Sequence, residues 1–485
     1  MDKIALKPVD VFECFRLVNA VPRPSKHEER MIEFLMDFGK KLGLETISDE
    51  TGNVIIRKPA TPGMENKKTL ILQSHMDMVC EKNADVKFDF YKDSIQTYID
   101  GEWMKANGTT LGADDGIGVA MEMAILQATD LKHGPLECVF TRDEETGLTG
   151  AFGMKPGFMK GDMLVNLDSE DEGEIFVSCA GGCRTQAKMD FELEELPEKM
   201  FVFSLSIKGL NGGHSGDDIE KKRANANKLL ARFLYMSQKK YDLRLIDIQA
   251  GGLHNAIPRE AACICAIPLK DKEQIRIDWN LFAADVEEEY NVTEQGMQFI
   301  LESEEGTFDT MDKSCSNRLI TALQGVDNGV FAFCQSINLV ETSSNLASIH
   351  MDRESKKVVI NSSQRSSIYS ARVNMANTFA AVFELAGAKV EIGEGYPGWK
   401  MNPSSKLLAI AVEEYKKLFN HEPVVRGIHA GLECGLFSEK YPGLDMISFG
   451  PTLRGVHSPD ERLLISTVQM VWDHLLAIME NIPEK

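Results

Sequence analysis

Short apolar runs that end abruptly in histidine or acidic residues constrain this chain more than any other feature. Leu70-Ile71-Leu72 runs into His75-Met76-Asp77, and Leu136 to Phe140 into Asp143-Glu144-Glu145. Met163-Leu164-Val165 runs into Asp168, and Leu444 to Phe449 into the loop carrying His457. Helical patterns lie between them, among them Gly116 to Gln127 and Leu407 to Phe419. Apolar strands alternating with helices predict a mostly parallel α/β sheet. Ligands of such sheets sit outside the carboxyl ends of the strands, so the polar residues should meet at one edge.

Ser25-Lys26-His27-Glu28 is a capping-box pattern, followed at helical spacing by Met31, Phe34, Leu35, Phe38 and Leu42. A hairpin is predicted next, Leu44 to Ser48 against Val54 to Ile56. Between about 185 and 400 the character changes. Phe201 to Lys208 alternates like a half-buried strand. A helix around Ala224 to Met236 and strands near Leu243 to Ile248 and Ala262 to Ile267 follow. A similar run recurs: Met297 to Leu301, a helix near Asn317 to Leu323, strands at Leu346 to His350 and Val358 to Ile360, and a helix ending near Ala386. Two related halves would produce this repetition. The chain therefore reads as one discontinuous α/β domain, 1–185 and 400–485, with an α+β domain, 186–399, inserted.

The 485 residues suffice for two or three domains with sizeable cores. Lys and Arg number 53 against 74 Asp and Glu, a net charge of −21. Such a surface repels phosphate backbones and anionic lipid, which argues against nucleic acid and membrane as partners. No apolar stretch is long enough for a transmembrane helix, and the first eight residues, Met1 to Pro8, lack the apolar core of a signal peptide. The ten cysteines have no framework spacing and read as reduced thiols of a cytoplasmic protein.

Several common motifs are absent. His27-Glu28 and His421-Glu422 both lack the second histidine of His-Glu-x-x-His, and Gly213-His214-Ser215-Gly216 ends in Asp217 where a nucleophile elbow needs glycine. Gly393-Glu394-Gly395-Tyr396-Pro397-Gly398 matches Gly-x-Gly-x-x-Gly, but Pro397 and Pro403 punctuate it and the next helix starts too late to cradle a phosphate.

His75, Asp114, Glu145, Asp168 and His457 form a donor set suited to zinc and tolerant of manganese or cobalt. Any one of them alone reads as an ordinary cap or loop residue. Five together exceed the needs of one tetrahedral site and suit two metals about 3.5–4 Å apart sharing a carboxylate. Asp114 is the natural bridge, in a glycine-containing turn into a helix. Asp77 stands two residues beyond His75, on the same side of an extended segment, and can fix its tautomer. Glu144, beside Glu145, is placed to be a general base.

Gln73-Ser74-His75-Met76-Asp77-Met78-Val79, Thr109 to Asp114, Asp143-Glu144-Glu145-Thr146-Gly147, Asn166-Leu167-Asp168-Ser169-Glu170 and His457-Ser458-Pro459-Asp460-Glu461 resemble the M20 family of zinc peptidases. Arg57 to Asn66, Gly209 to Gly216, Asn255 to Glu260 and His429 to Phe437 resemble its cytosolic aminoacyl-histidine (Xaa-His) dipeptidase branch, which acts on carnosine. The likeness covers essentially the whole chain and is weakest around 270–340.

The resemblance implies a di-zinc catalytic domain and an inserted lid domain that closes over the substrate and forms a homodimer. His75, Asp114 and Asp168 would hold one zinc, and Asp114, Glu145 and His457 the other. Glu144 would deprotonate the water lying between the metals and then protonate the leaving amine. His214 would stabilise the oxyanion, and Arg365 would grip the terminal carboxylate of a short peptide. Asn255 and Glu433 are further substrate-binding candidates; Glu433 could meet a free amino group, since a buried carboxylate wants a cationic partner. Asp115 departs from the branch, which often has Asn there. Tripeptidases and N-acyl amino acid amidohydrolases share nearly the same metal set, so the same pattern leaves those substrates open. A non-catalytic peptide-binding scaffold has no physical need for Glu144 beside a full ligand set.

Overall fold

The computed structural model describes residues 6–335 and 339–485; the start of the stretch read above for a signal-peptide core, residues 1–5, lies outside the described residues. The chain divides into two compact units. The first comprises Met1–Ser178, Trp399–Gly427 and Leu432–Lys485, the second Cys179–Gly398 and Ile428–Gly431. The breaks fall a few residues from those read in the sequence. Ala180 N–H already donates to the carbonyls of Ile428 and Ala430, and Gly181 opens a strand of the second unit's sheet.

The first unit begins with helices α1 (Val9–Asn19) and α2 (Glu29–Lys41) and strands β1 (Glu45–Ser48), β2 (Val54–Lys58) and β3 (Leu70–His75). Helix α3 (Ala113–Gln127) and strands β4 (Leu136–Thr141), β5 (Met163–Asn166) and β6 (Glu174–Cys179) follow. The second unit carries β7 (Gly181–Asp190), β8 (Met200–Lys208), α4 (Ala226–Lys240), β9 (Arg244–Gly251), β10 (Ala261–Pro268), α5 (Lys272–Glu289) and β11 (Gln298–Ser303). It continues with α6 (Lys313–Gly325), β12 (Val340–Asp352), β13 (Lys357–Ser366), α7 (Tyr369–Leu385) and β14 (Lys389–Ile392). The chain returns through α8 (Lys406–Phe419), β15 (Val424–Ile428), β16 (Asp445–Ser448) and α9 (Ile465–Asn481).

The first unit's sheet has eight strands in the order β1-β2-β4-β3-β5-β16-β6-β15. Its centre, β4-β3-β5-β16, is parallel. The flanking pairs β1–β2, β2–β4 and β16–β6 are antiparallel. Every residue of β3, β4 and β5 is buried, as strands covered on both faces require. Leu70 and Leu72, Cys138 and Phe140, and Val165 join one core with Phe15, Val18, Ile117, Met121, Val468 and Leu475 from the helices. α3 is apolar almost all round and buried along nearly its whole length, so it belongs to the interior.

One predicted helix start is corrected. α2 begins at Glu29, with no capping box at Ser25. Ser25 Oγ instead donates to Asp77 Oδ2 at 2.7 Å, and the Glu28 carboxylate accepts from Lys26 N–H and Arg142 Nε. Tertiary partners have taken both capping side chains.

His474 of α9 is buried and donates from Nε2 to the Ala411 carbonyl of α8 at 2.8 Å. Burial pushes its pKa down to about 4. Below the ordinary histidine value near 6.5 the unfolded chain binds a proton that the folded chain refuses, so stability falls as the pH drops through this window. We expect the unfolding free energy of the wild type to fall by about 2–3 kcal/mol more than that of His474→Gln between about pH 6.5 and 4.5. Urea titrations at the two pH values check this; equal losses would refute it.

The second unit is built on one antiparallel sheet in the order β11-β8-β10-β9-β12-β13-β7-β14, with the strand Gly329–Phe333 also paired to β12. The order holds two copies of one pattern. β8–α4–β9–β10–α5–β11 occupies positions β11-β8-β10-β9, and β7–α6–β12–β13–α7–β14 occupies β14-β7-β13-β12. Each half is a β-α-β-β-α-β unit in spatial order 4-1-3-2, and the halves meet where β9 pairs with β12. The repetition read in the sequence is present with one correction. The run near Met297 to Leu301 is the fourth strand of the first half, paired with β8, and the second half takes β7 as its first strand. The first half is thus inserted in the second. α5, absent from the sequence reading, packs Trp279 and Phe282 against Phe233 and Phe299.

Candidate functional site

The carboxyl ends of the parallel strands supply most of the predicted ligand set. His75 closes β3, Glu144 and Glu145 follow β4, Asp168 follows β5, and His457 lies in the loop after β16. Asp114 comes from the start of α3, where Asp114 and Asp115 depart from helical backbone. The donor atoms converge. His75 Nε2 lies 3.1 Å from Asp114 Oδ1 and 3.5 Å from Asp168 Oδ1. His457 Nε2 lies 3.1 Å from Asp114 Oδ2 and 2.9 Å from Glu145 Oε2. Asp114 therefore offers one oxygen to each histidine.

The surroundings aim these donors. Asp77 Oδ1 is 3.2 Å from His75 Nδ1 and accepts from Glu144 N–H at 3.0 Å. Its other oxygen accepts from Glu145 N–H and Ser25 Oγ. With Nδ1–H given to Asp77, Nε2 of His75 is free to act as a ligand. The Asp114 turn is held from both sides. Arg23, fully buried, donates to the carbonyls of Asp77 at 2.7 Å and Gly112 at 2.5 Å. Glu461, four residues past His457, accepts from the N–H groups of Leu111, Gly112, Ala113 and Asp114. Gly112, at φ +66°, admits this close approach: a Cβ there would lie 2.6 Å from Arg23 Nη2.

The electrostatics are those of crowded carboxylates. Burial raises Asp168 to about 8, with Asp114 and Glu145 adding to the effect and His75 opposing it. His457 is raised to about 11 by its bonds to Asp114 and Glu145. Burial opposes charge on His75, but Asp168, Asp114 and Asp77 outweigh it. Glu145 Oε1 is buried without a protein partner among the described residues. Two imidazoles, three carboxylates and an orphaned carboxylate oxygen fit divalent cations, whose binding would expel the protons these groups otherwise hold.

Glu144 and Glu433 complete the first unit's candidates. Burial, then Asp168, Glu145 and Glu433, raise Glu144, against the pull of His75. Glu433 is buried, with Oε2 accepting from Gln73 Nε2 and Thr141 Oγ1, and burial raises it to about 7. Its Oε1 has no protein partner among the described residues. Gln73 Oε1 accepts from Asn166, whose own oxygen accepts from Ser448, so one polar network ties β3, β5 and β16 beneath the ligands.

The second unit gathers the other three candidates. His214 lies in a two-residue strand paired with Ala256–Ile257, and Ser215 N–H donates to the Asn255 carbonyl. His214 Nε2 is 3.3 Å from Arg365 Nη2. Arg365, near the end of β13, is buried, and its Nε has no protein partner among the described residues. His429 is buried against this cluster, bonded to Ser343, and burial, with Arg365 adding, lowers it to about 3. Sequence reading missed Arg23, Glu461 and His429. Their partners lie tens to hundreds of residues away, so no local pattern marks them. Among the described residues no helix is long and apolar enough to cross a membrane.

Residues 71–481 match the family described as Peptidase family M20/M25/M40. The cytosol non-specific dipeptidase of Escherichia coli (strain K12) is 41% identical over 481 residues, 99% of each chain. The crystal structure of aminoacylhistidine dipeptidase from Vibrio alginolyticus has a TM-score of 0.94 at 43% identity, covering 99% of this chain and 98% of that one. Aminopeptidase PepT from Bacillus cereus shares the fold, with a TM-score of 0.57 at 16% identity over 98% of each chain.

Proposed function

This chain belongs to peptidase family M20/M25/M40, and on that premise we propose that it is a di-zinc dipeptidase hydrolysing short peptides, Xaa-His dipeptides such as carnosine foremost. One observation carries the reading: Asp114 presents its two oxygens to two different histidines, each with a second carboxylate beside it. His75, Asp114 and Asp168 would hold one zinc, and Asp114, Glu145 and His457 the other. When bound, the pair would supply an acidified water and a polarised carbonyl.

The protein's side chains do the rest. Glu144 takes a proton from the attacking water and returns it to the amine nitrogen as the C–N bond breaks. Asp77 holds His75 in one tautomer. His214 donates to the oxyanion formed at the carbonyl. Arg365 holds the substrate's terminal carboxylate, Asn255 is a further substrate-binding residue, and Glu433 accepts from the free amino group. The inserted unit acts as a lid, and the homodimer and cytoplasmic setting implied by the resemblance belong to the same reading.

The test is metal content together with carnosine hydrolysis, before and after chelation. About two zinc ions per chain are expected, with activity lost on chelation and restored by zinc. Metal without carnosine cleavage would move the substrate toward other dipeptides, tripeptides or N-acyl amino acids; no bound metal would overturn the ligand assignment. We further expect N-acetylation of the dipeptide to lower kcat/KM by about tenfold or more, because a buried carboxylate then loses its cationic partner. An acetylated dipeptide cleaved as fast as the free one would refute the amine site.

A further inference from the structure

The glycine-rich run Gly393–Gly398 has no part in the chemistry above, yet it is tightly built. The backbone of Tyr396 bridges Gly182 of β7 in both directions, N–H to carbonyl at 2.9 and 3.1 Å. Gly395 has φ +70°, and a Cβ there would lie 2.1 Å from the Gly182 carbonyl. A Cβ on Gly182 would lie 2.7 Å from Tyr396 Oη, and one on Gly431 2.7 Å from the edge of its ring. Buried Arg372 donates to the carbonyls of both Gly182 and Tyr396. Gly395 thus lets the backbone close on β7, and Gly182 and Gly431, from two other segments, leave room for the tyrosine ring and fix where its hydroxyl ends.

The hydroxyl ends on Arg365. Arg365 Nη1 donates to Tyr396 Oη at 3.0 Å. The hydroxyl accepts this bond, so its own hydrogen points elsewhere, and it has no acceptor among the described residues. The neighbouring guanidinium also keeps Nε without a partner among the described residues, although it is buried. An unspent hydroxyl and an incompletely used guanidinium bonded to each other call for an anionic acceptor.

We propose that Tyr396 is a carboxylate-binding residue: its O–H and the Arg365 guanidinium together hold the substrate's terminal carboxylate. The inference rests on the assignment of Arg365 made above and adds a second, uncharged donor to it. Burial keeps the phenol protonated above its ordinary range, against the pull of Arg365, so the donor persists at neutral pH. A carboxylate offers an acceptor oxygen to each group, whereas a C-terminal amide has a single acceptor oxygen, enough for the arginine, and turns N–H hydrogens toward the phenol.

The experiment compares Ala-His with its C-terminal amide on wild type, Tyr396→Phe, Arg365→Met and the double variant. Tyr396→Phe should raise KM for Ala-His about tenfold with kcat within about twofold, and leave the amide unchanged. The double variant should raise KM for Ala-His beyond Arg365→Met alone, which a tyrosine that only braces the arginine would not do. An unchanged KM in Tyr396→Phe, or equal changes for acid and amide, overturns the proposal while Arg365 stands. If Arg365→Met shows no preference for losing the free acid, the assignment of Arg365 falls, and the proposal with it.

Discussion

Glu144→Gln lowers kcat by about 10²–10⁴-fold and leaves metal content at the wild-type level. The loss corresponds to about 3–5 kcal/mol of transition-state stabilisation. Glu144 is placed by its backbone, whose N–H is held by Asp77 Oδ1 at 3.0 Å. Its carboxylate makes no hydrogen bond among the described residues, and burial with three neighbouring carboxylates raises its proton affinity. That is the condition of a group that must accept a proton and release it within one turnover. Glutamine keeps the size and polarity but cannot accept the proton. Steady-state kinetics and elemental analysis of the same preparation check both halves of the expectation. Metal lost along with activity would make Glu144 a ligand, and an unchanged kcat would remove it from the proton path.

Asp114→Ala weakens metal binding by more than about 100-fold, beyond the range reached when only an outer partner of a ligand is removed. The reason is geometric: its two oxygens lie 3.1 Å from His75 Nε2 and 3.1 Å from His457 Nε2. On the reading proposed above, deleting it would remove a donor from both metals and leave Asp168 and Glu145 each with one histidine. Activity should vanish together with both metals, whereas Asp168→Ala should lose one. Metal content after dialysis against a buffered trace of zinc gives the answer. Two metals retained by Asp114→Ala would mean that this carboxylate bridges nothing.

Much of this arrangement could be read from local pattern, because the physics involved is local. The apolar runs of β3, β4 and β5 and the two-residue step from His75 to Asp77 depend on neighbours in the chain. Asp114 follows no strand end, and its glycine-containing turn into a helix is the local mark it carries. Where tertiary partners decide, the sequence is silent or misleads. Ser25 and Glu28 carry a capping pattern that Asp77 and Arg142 override. Arg23 reads as an ordinary loop arginine until Gly112 and Asp77 surround it. Tyr396 sits in a motif that matches a phosphate loop in spacing alone, and the glycines that make room for its ring, Gly182 and Gly431, lie outside that motif. α5 had a readable signal in Ile275, Trp279, Phe282 and Val286, spaced along one helical face, which went unread.

The nested halves of the second unit set an order of assembly during synthesis. β7 is the first strand of that unit to leave the ribosome, but its strand partners among the described residues, β13 and β14, are among the last segments of that unit to be made. The half lying between, β8 to β11, is complete once Ser303 has emerged, and all its pairings except the junction with β12 are internal. Contacts close in sequence form first, since long loops cost entropy before any contact rewards them. The inner half can therefore fold as a domain on the nascent chain while β7 waits with an open edge. The later half then has a finished strand, β9, on which to lay β12, so the sheet grows outward from a template that the chain has built for itself.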